Sequence, residues 1–224
     1  ILVDALSDYH FVTEIAGKNN LLREGVDENK IYFVGNTMID SLLAYKQAAD
    51  TESKILEELN LTPKKYAVLT MHRPANVDNK EEFAKLSKAI LEVKDFIKVV
   101  FPVHPRAKKN ISNIFNVPNI AITEPLGYLD FLKLMMHSSL ILTDSGGIQE
   151  EATVLRVSCI TLRENTERPS TIASGANRIV GRDPEKIVQA VKDVLANPYP
   201  EIKIPELWDG RAAERIINIL QKIL

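Results

Sequence analysis

The chain has 224 residues, enough to bury a full core in one large domain or in one domain and part of another. Its hydrophobic content of 45% and charged content of 26% are ordinary for a globular protein, and the net charge of −2, with scattered Lys and Arg, argues against nucleic acid as a partner. The single Cys159 excludes an internal disulfide, and its apolar neighbours predict a buried structural thiol. Without a membrane-length apolar run or a signal peptide, we expect a cytoplasmic protein with no membrane partner.

The first 45 residues predict short helices and strands. Helical apolar spacing begins at residue 1 without an initiator Met or a capping residue, so we expect the chain to begin inside an element, as a fragment would. The following elements are a strand at 10–13, a helix at 14–24 ended by Gly25, a strand at 31–34 closed by Gly35, and a helix from Asn36 to about Tyr45. Residues 47–53 are polar and linker-like, so we place a domain boundary within 36–55.

After this boundary, apolar β-prone runs alternate regularly with helical patterns. The runs lie at Tyr66–Thr70, Ile97–Phe101, Ile120–Ile122, Leu140–Thr143, Ser158–Leu162 and Arg178–Val180. The clearest helical patterns cover 81–94 and 184–195. This alternation predicts an α/β fold with a Rossmann-like, doubly wound parallel sheet. If the strand order is 3-2-1-4-5-6, strands one and four are neighbours, and a ligand binds in the crevice at their carboxyl ends.

The stretch from Leu140 to Glu151 predicts a strand, a tight turn and a helix. Ser145 stands at the natural N-cap, and Gly146 and Gly147 leave backbone amides unshielded, so the helix start favours an anion such as a phosphate. Glu151 lies one turn deeper on the same helix face, where it can accept hydrogen bonds from a ribose diol. The alternative is that the glycine pair only turns a strand into a helix.

Two loops should meet at the predicted crevice, residues 71–76 after strand one and 144–147 after strand four. This placement brings His72 and Arg73 to the helix start that favours phosphate, although His72 can also be a structural residue bonded to a turn. His104, on the loop after strand two, can face the same crevice. No two histidines have metal-ligand spacing and there is no cysteine pair, so we expect no metal and no cofactor.

The loop after strand five carries Arg168 at the same carboxyl edge. Arg168 can pair with a phosphate, and the alternative is a salt bridge to Glu167 or Glu164 that stiffens the loop. Tyr128 and Phe131 open the helix before the glycine pair, and aromatic residues at helical spacing more often belong to a core than to a nucleobase site.

Taken in order, these motifs resemble those of a known family. The motifs are Gly35–Thr37, Thr70–Pro74, Pro102–His104, Glu124–Tyr128, Asp144–Glu151, Thr166–Pro169 and Leu207–Gly210. The series is similar to the non-hydrolysing UDP-N-acetylglucosamine 2-epimerases from end to end. The resemblance implies a glycosyltransferase-B type architecture with an incomplete first domain. In it, residues 1–45 are the remnant of the amino-terminal Rossmann-like domain with a linker helix, and 46–224 are the UDP-binding carboxyl-terminal domain, whose final helix packs back on the first.

The resemblance also implies a reaction and a set of site residues. The family interconverts UDP-N-acetylglucosamine and UDP-N-acetylmannosamine by eliminating and re-adding UDP, without a redox cofactor or a metal. By position, His72 is implied to be catalytic and close to the phosphates. The implied substrate-binding residues are Arg73, His104 near a second, activating UDP-N-acetylglucosamine, Leu126 and Phe131 at the uracil, Ser145, Gly146 and Gly147 at the diphosphate, Glu151 at the ribose, and Arg168 on the phosphate side. We expect UDP-N-acetylglucosamine and UDP as ligands and a homodimer as the assembly.

The departures from the family pattern predict a truncated form. The Asp and two Glu that carry out the family's proton transfers at C2 precede residue 1, and Ala75, Ser170 and Ala173 replace residues that are often acidic. We therefore expect the chain to bind UDP weakly and not to epimerise by itself. The alternatives are a catalytically inactive UDP-sugar-binding module and a UDP-sugar glycosyltransferase of the same fold.

Overall fold

The computed structural model describes residues 2–111, 115–197 and 201–223, without the side chains of 109–111. By its contacts the chain divides into two units. The first unit consists of the residues up to Tyr45 together with those from Ile204 onward, and the second consists of Lys46–Lys203.

The first unit opens with short elements that match the predicted ones. They are α1 (Leu2–Leu6), β1 (His10–Val12), α2 (Ile15–Arg23), β2 (Ile31–Phe33) and the beginning of α3 (Thr37–Glu52). The two strands pair in parallel. Asn36 caps α3 as predicted, because its Oδ1 accepts a hydrogen bond from the backbone amide of Met38 at 3.0 Å.

The linker predicted at 47–53 is wrong, because α3 continues to Glu52. The Nζ of Lys133 donates hydrogen bonds to the carbonyl oxygens of Asp50 and Ser53 at 3.0 and 2.7 Å. These bonds satisfy carbonyl groups at the carboxyl end of the helix, which have no partner within the helix itself. The polar stretch is therefore an exposed helix rather than a flexible connection, and the boundary between the two units falls within α3.

The second unit contains a doubly wound α/β sheet. Its elements are α4 (Ile55–Glu58), β3 (Tyr66–Thr70), α5 (Pro74–Val77), α6 (Lys80–Val93), β4 (Lys98–Pro102), α7 (Pro105–Ile111), β5 (Ile120–Thr123), α8 (Tyr128–His137), β6 (Leu140–Thr143), α9 (Gly146–Leu155), β7 (Ser158–Thr161), α10 (Pro169–Ala173), β8 (Asn177–Ile179) and α11 (Pro184–Ala196). The order β5-β4-β3-β6-β7-β8, with every pair parallel, confirms the predicted strand order.

The core of this unit lies along the central strands. Residues 66–69 of β3 and 140–142 of β6 are fully buried, as expected for a parallel sheet covered on both faces. The apolar faces of α6 and α11 join the same core through residues such as Phe83 and Ile187. Cys159 is buried as predicted, and burial raises the pKa of its thiol to about 12, which makes it a poor nucleophile.

The closing segment returns to the first unit. Trp208 is buried, and its Nε1 donates a hydrogen bond to the carbonyl oxygen of Thr13 at 2.9 Å. The last helix, α12 (Ala212–Ile223), begins where the carboxylate of Asp40 accepts hydrogen bonds from two backbone amides at 3.0 and 2.7 Å. In the part of the chain that the structure describes, we find no helix with the length and apolar character to cross a membrane.

Candidate functional site

The site lies where β3 and β6 end side by side. Thr70 is paired with Thr143 in the sheet register, and their hydroxyl oxygens are 2.6 Å apart. The Oγ1 of Thr143 also accepts a hydrogen bond from the backbone amide of Ser145 at 3.0 Å. The two loops therefore leave the sheet at the same level, which is the switch point at which doubly wound sheets bind ligands.

Asp144 holds these two loops together from a fully buried position. One of its carboxylate oxygens is 2.8 Å from the Nδ1 of His72, and the other accepts hydrogen bonds from the backbone amide of Arg73 at 2.9 Å and the Nδ2 of Asn76 at 3.1 Å. The backbone amide of His72 also donates to this carboxylate, at 3.1 and 3.2 Å. Burial opposes ionisation of Asp144, but the hydrogen bonds from His72 and Arg73 outweigh it and lower the pKa of the carboxyl.

The placement of His72 in the crevice agrees with the sequence prediction. A cavity of about 270 Å³ opens beside it, with lining residues that include His72, Val103, His104, Leu126, Phe131 and Ser145. The ring centroids of the two histidines are 5.7 Å apart. The Nδ1 of His104 accepts a hydrogen bond from the backbone amide of Arg106 at 3.2 Å, which leaves its Nε2 as the nitrogen that can donate. Five of the predicted site residues therefore share this cavity.

The beginning of α9 forms one border of the cavity. Ser145 occupies the N-cap position, but its side chain makes no capping hydrogen bond, so its hydroxyl is not used by the helix. Arg168 lies against this helix start, since a Cβ placed on Gly146 would be 3.9 Å from the Nε of Arg168. Gly147 follows in the first turn and is half-buried. The positive end of the helix dipole and the guanidinium of Arg168 thus lie close together.

Arg168 is held by a carboxylate that the sequence interpretation did not consider. Its Nε is 2.8 Å from Oε1 of Glu150, whose side chain is buried. Arg168 thus pairs with Glu150 instead of the predicted alternatives Glu167 and Glu164, and the carboxylate of Glu167 is held by Arg163 with bonds of 2.6 and 2.9 Å. That pair keeps the pKa of Glu167 well below its usual value, at about 2.

The loop that carries Arg168 is fixed by a buried glutamine. The Oε1 of Gln149 accepts hydrogen bonds from the hydroxyl of Thr166 at 2.6 Å and from the Nδ2 of Asn177 at 3.1 Å. The Oγ1 of Thr166 in turn accepts a bond from the backbone amide of Arg168 at 3.0 Å. These bonds position the arginine without using its side chain.

Glu151 is buried one turn below the start of α9. The hydroxyl of Tyr128 is 3.4 Å from its Oε1. Burial raises the pKa of Glu151 to about 7, the Tyr128 hydroxyl opposes this shift, and the neighbouring charge of Glu150 adds to it. Glu151 is therefore a carboxyl that changes its charge near neutral pH.

The predicted residues that do not line the cavity are Arg73, Gly146, Gly147, Glu151 and Arg168. Arg73 nevertheless has a buried Nε without a hydrogen-bond partner in the described part of the chain. Among the described residues, no group of three or more His, Cys, Asp or Glu side chains is arranged to hold a metal ion.

Asp144 and Asn76 are site residues that the sequence interpretation missed as such. Asp144 had a local signal, because it is the first residue after strand four at the predicted switch point. Asn76 had none, since its Nδ2 reaches Asp144 and the carbonyl oxygen of Leu162, both at 3.1 Å, across long stretches of sequence.

Comparison with known proteins identifies the family. The profile of the UDP-N-acetylglucosamine 2-epimerase family matches residues 1–221. Among curated relatives, the UDP-N-acetylglucosamine 2-epimerases of Methanocaldococcus jannaschii and Escherichia coli K12 are 45% and 35% identical, and each alignment covers 98% of this chain. The chain spans 62% of the length of these relatives.

Solved structures agree with the sequence comparison. The crystal structure of the Methanocaldococcus jannaschii enzyme in complex with UDP-GlcNAc and UDP has a TM-score of 0.91 and 43% identity over 99% of this chain and 63% of its own. The structure of the Neisseria meningitidis enzyme bound to UDP-GlcNAc has a TM-score of 0.90 and 31% identity over 99% of this chain and 63% of its own. The predicted α/β fold is confirmed, and its structural neighbours have the expected glycosyltransferase-B type architecture. The chain belongs to the UDP-N-acetylglucosamine 2-epimerase family.

Proposed function

We propose that the chain supplies the nucleotide-binding part of an enzyme that converts UDP-N-acetylglucosamine to UDP-N-acetylmannosamine. The observation that carries the proposal is the cavity at the ends of β3 and β6, where His72 and Ser145 meet two apolar side chains beside a helix start. Solved relatives with closely similar folds hold UDP-GlcNAc or UDP, which supports the same ligand here.

The cavity suits one part of a nucleotide sugar. Its volume of about 270 Å³ is just below the roughly 300–1,000 Å³ that is usual for a complete ligand site. We place the uracil against Leu126 and Phe131, which offer an apolar surface and an aromatic ring. The ribose then lies towards Glu151, whose carboxyl can bond to a vicinal diol.

The diphosphate belongs at the beginning of α9 in this arrangement. Ser145 offers a hydroxyl that does not cap the helix, Gly146 and Gly147 offer backbone amides, and helix starts bind phosphate readily. Arg168 lies against the same turn, beside the backbone amides of the helix start. Charge-assisted hydrogen bonds from arginine to phosphate are among the stronger polar contacts in proteins.

These groups fit the departure of UDP from the sugar. In the elimination, a general base takes the C2 proton, the electron pair of that C–H bond forms a double bond between C1 and C2, and the bond between C1 and the UDP oxygen breaks, so that UDP departs with an additional negative charge. Donors that are already oriented towards this developing charge lower the barrier. We assign His72 to this role in its doubly protonated form, because its ring lines the cavity and a carboxylate engages its Nδ1, which leaves the Nε2–H group as the donor to UDP. Re-addition of UDP after reprotonation of the opposite face of C2 gives the epimer.

Calorimetric titration with UDP tests the site. We expect UDP to bind to the 224-residue chain and to bind roughly 10- to 150-fold more weakly after His72→Ala or Glu151→Ala, the loss expected for a hydrogen bond to a charged group. His137→Ala is the matched control, because this histidine pairs with Asp50 outside the cavity. A folded chain that binds no UDP, or equal binding by all variants, would contradict the proposal.

The reaction requires a separate measurement. We expect the 224-residue chain to bind UDP without epimerising UDP-N-acetylglucosamine, because the described residues that line the cavity include no carboxylate to take the C2 proton. NMR of UDP-N-acetylglucosamine incubated with the chain in D₂O tests this expectation, since elimination would exchange that proton with solvent. Appearance of UDP-N-acetylmannosamine with deuterium at C2 would contradict it and show that the chain carries out the whole reaction.

A further inference from the structure

We infer that Asp144 is the positioning residue of this site and that it holds the imidazole of His72 in the tautomer with its proton on Nδ1. What the ring then does at Nε2 rests on the proposed function, whereas the tautomer itself does not. The assignment follows from the bonding of the Asp144 carboxylate, the orientation of Asn76 and the place of His72 at the cavity.

The carboxylate of Asp144 is saturated by donors of the protein. Its oxygens lie within hydrogen-bond distance of the Nδ1 of His72 at 2.8 Å, the backbone amides of His72 and Arg73 at 2.9–3.2 Å, and the Nδ2 of Asn76 at 3.1 Å. Asp144 is fully buried, so it has no surface to offer a ligand. It therefore acts through His72, which does line the cavity.

The amide of Asn76 can take only one orientation in this network. Its Oδ1 accepts a hydrogen bond from the Nε of Arg182 at 2.7 Å, and an arginine can only donate. The Nδ2 of Asn76 must then face Asp144 and the carbonyl oxygen of Leu162. Asp144 consequently meets donors on every side and must itself be an acceptor.

The same reasoning fixes the proton on His72. A carboxylate oxygen 2.8 Å from Nδ1 requires a proton between the two atoms, so a neutral ring carries its hydrogen on Nδ1 and leaves Nε2 unprotonated. When the ring gains a second proton, that proton is on Nε2. Asp144 thus determines which nitrogen can exchange a proton or a hydrogen bond with a ligand.

Asp144→Asn separates this role from simple packing. The asparagine side chain has nearly the same shape, but one of its two polar atoms is a donor, and it would meet a donor of the network. If the amide nitrogen faces His72, the neutral ring must move its proton to Nε2. The equivalent change in a serine protease triad acts through the same change of tautomer.

The first test is ¹⁵N NMR of histidine in the chain without ligand, above the pH at which the rings are protonated. We expect the parent chain to show His72 with protonated Nδ1 and Asp144→Asn to lose that signal or move it to Nε2. Asp50→Asn is the matched control, because the Oδ1 of Asp50 is 2.7 Å from the Nε2 of His137. This substitution should change the ¹⁵N signals of His137 and leave those of His72 unchanged. Protonated Nε2 on His72 of the parent chain would overturn the inference, even if the variant did not fold.

The second test asks whether Asp144 acts through His72. We expect Asp144→Asn to weaken UDP binding roughly tenfold, which is within the range for a lost hydrogen bond to a charged group, and to have no further effect in a His72→Ala background. Equal losses in both backgrounds would overturn the inference. Absence of UDP binding in the parent chain would contradict the proposed function alone, because the tautomer is measured without ligand.

Discussion

Gly35→Ala is expected to destabilise the first unit by about 2–5 kcal/mol, from the strain of a left-handed conformation and from overpacking. Gly35 has a φ of +89°, and an added Cβ would lie 2.1 Å from the carbonyl oxygen of Leu207 and 2.9 Å from its carbonyl carbon. Both are backbone atoms, so no side-chain rotation can remove the clash. The turn at Gly35 would have to move away from the closing segment of the chain.

Gly25→Ala is the matched control for this prediction. Its φ of +86° imposes a similar conformational cost, but an added Cβ would have no neighbour within 4 Å. We expect a loss of only about 1–2 kcal/mol, the usual cost of a left-handed residue. Urea unfolding followed by the fluorescence of Trp208 reports on this unit, because the chain has one tryptophan and it is buried there. Equal destabilisation by the two variants would show that the clash with Leu207 adds nothing to the cost of the left-handed conformation.

Glu151→Gln is expected to stabilise the second unit by about 3 kcal/mol above neutral pH, since each unit of pKa shift corresponds to about 1.4 kcal/mol. Burial raises the pKa of Glu151 from 4.5 to about 7 in the folded state. Below pH 4.5 the carboxyl is protonated whether the chain is folded or unfolded, so the substitution changes little. As pH rises from 4.5 to 7 the unfolded chain ionises first, and folding loses stability; above 7 the full cost is present.

Thermal unfolding at about pH 4 and about pH 8.5 tests this linkage. Circular dichroism follows the whole chain, whose described helices and strands lie mostly in the second unit, and Trp208 fluorescence reports on the first unit separately. The control is Glu57→Gln, because Glu57 is exposed on α4 and its substitution should not change the stability at either pH. An equal effect of Glu151→Gln at both pH values would contradict the linkage. The same variant should bind UDP more weakly, so the buried carboxyl would stabilise the ligand complex at the expense of the empty protein.

The sequence by itself was sufficient for the sheet and for the convergence of the two loops that follow its central strands. Residues 66–70 and 140–143 form strands as predicted, because fully buried parallel strands are uninterrupted apolar runs that end at small or polar residues. Regular alternation with helices then restricts the topology through right-handed crossovers, and the switch point follows from the strand order. The sequence pattern alone therefore brings His72 and Ser145 together.

Only the tertiary structure decided how the site residues are held. The end of α3 depends on Lys133, which lies 80 residues from Ser53 in the chain. The polar residues 47–53 therefore gave no local sign of where the helix ends. The contact between His72 and Asp144, 72 residues apart, and the pairing of Arg168 with Glu150 likewise depend on how the loops converge. Local patterns record which backbone conformation a segment prefers. Hydrogen-bond partners and the pKa of a buried carboxyl depend on neighbours and solvent exclusion that exist only after folding.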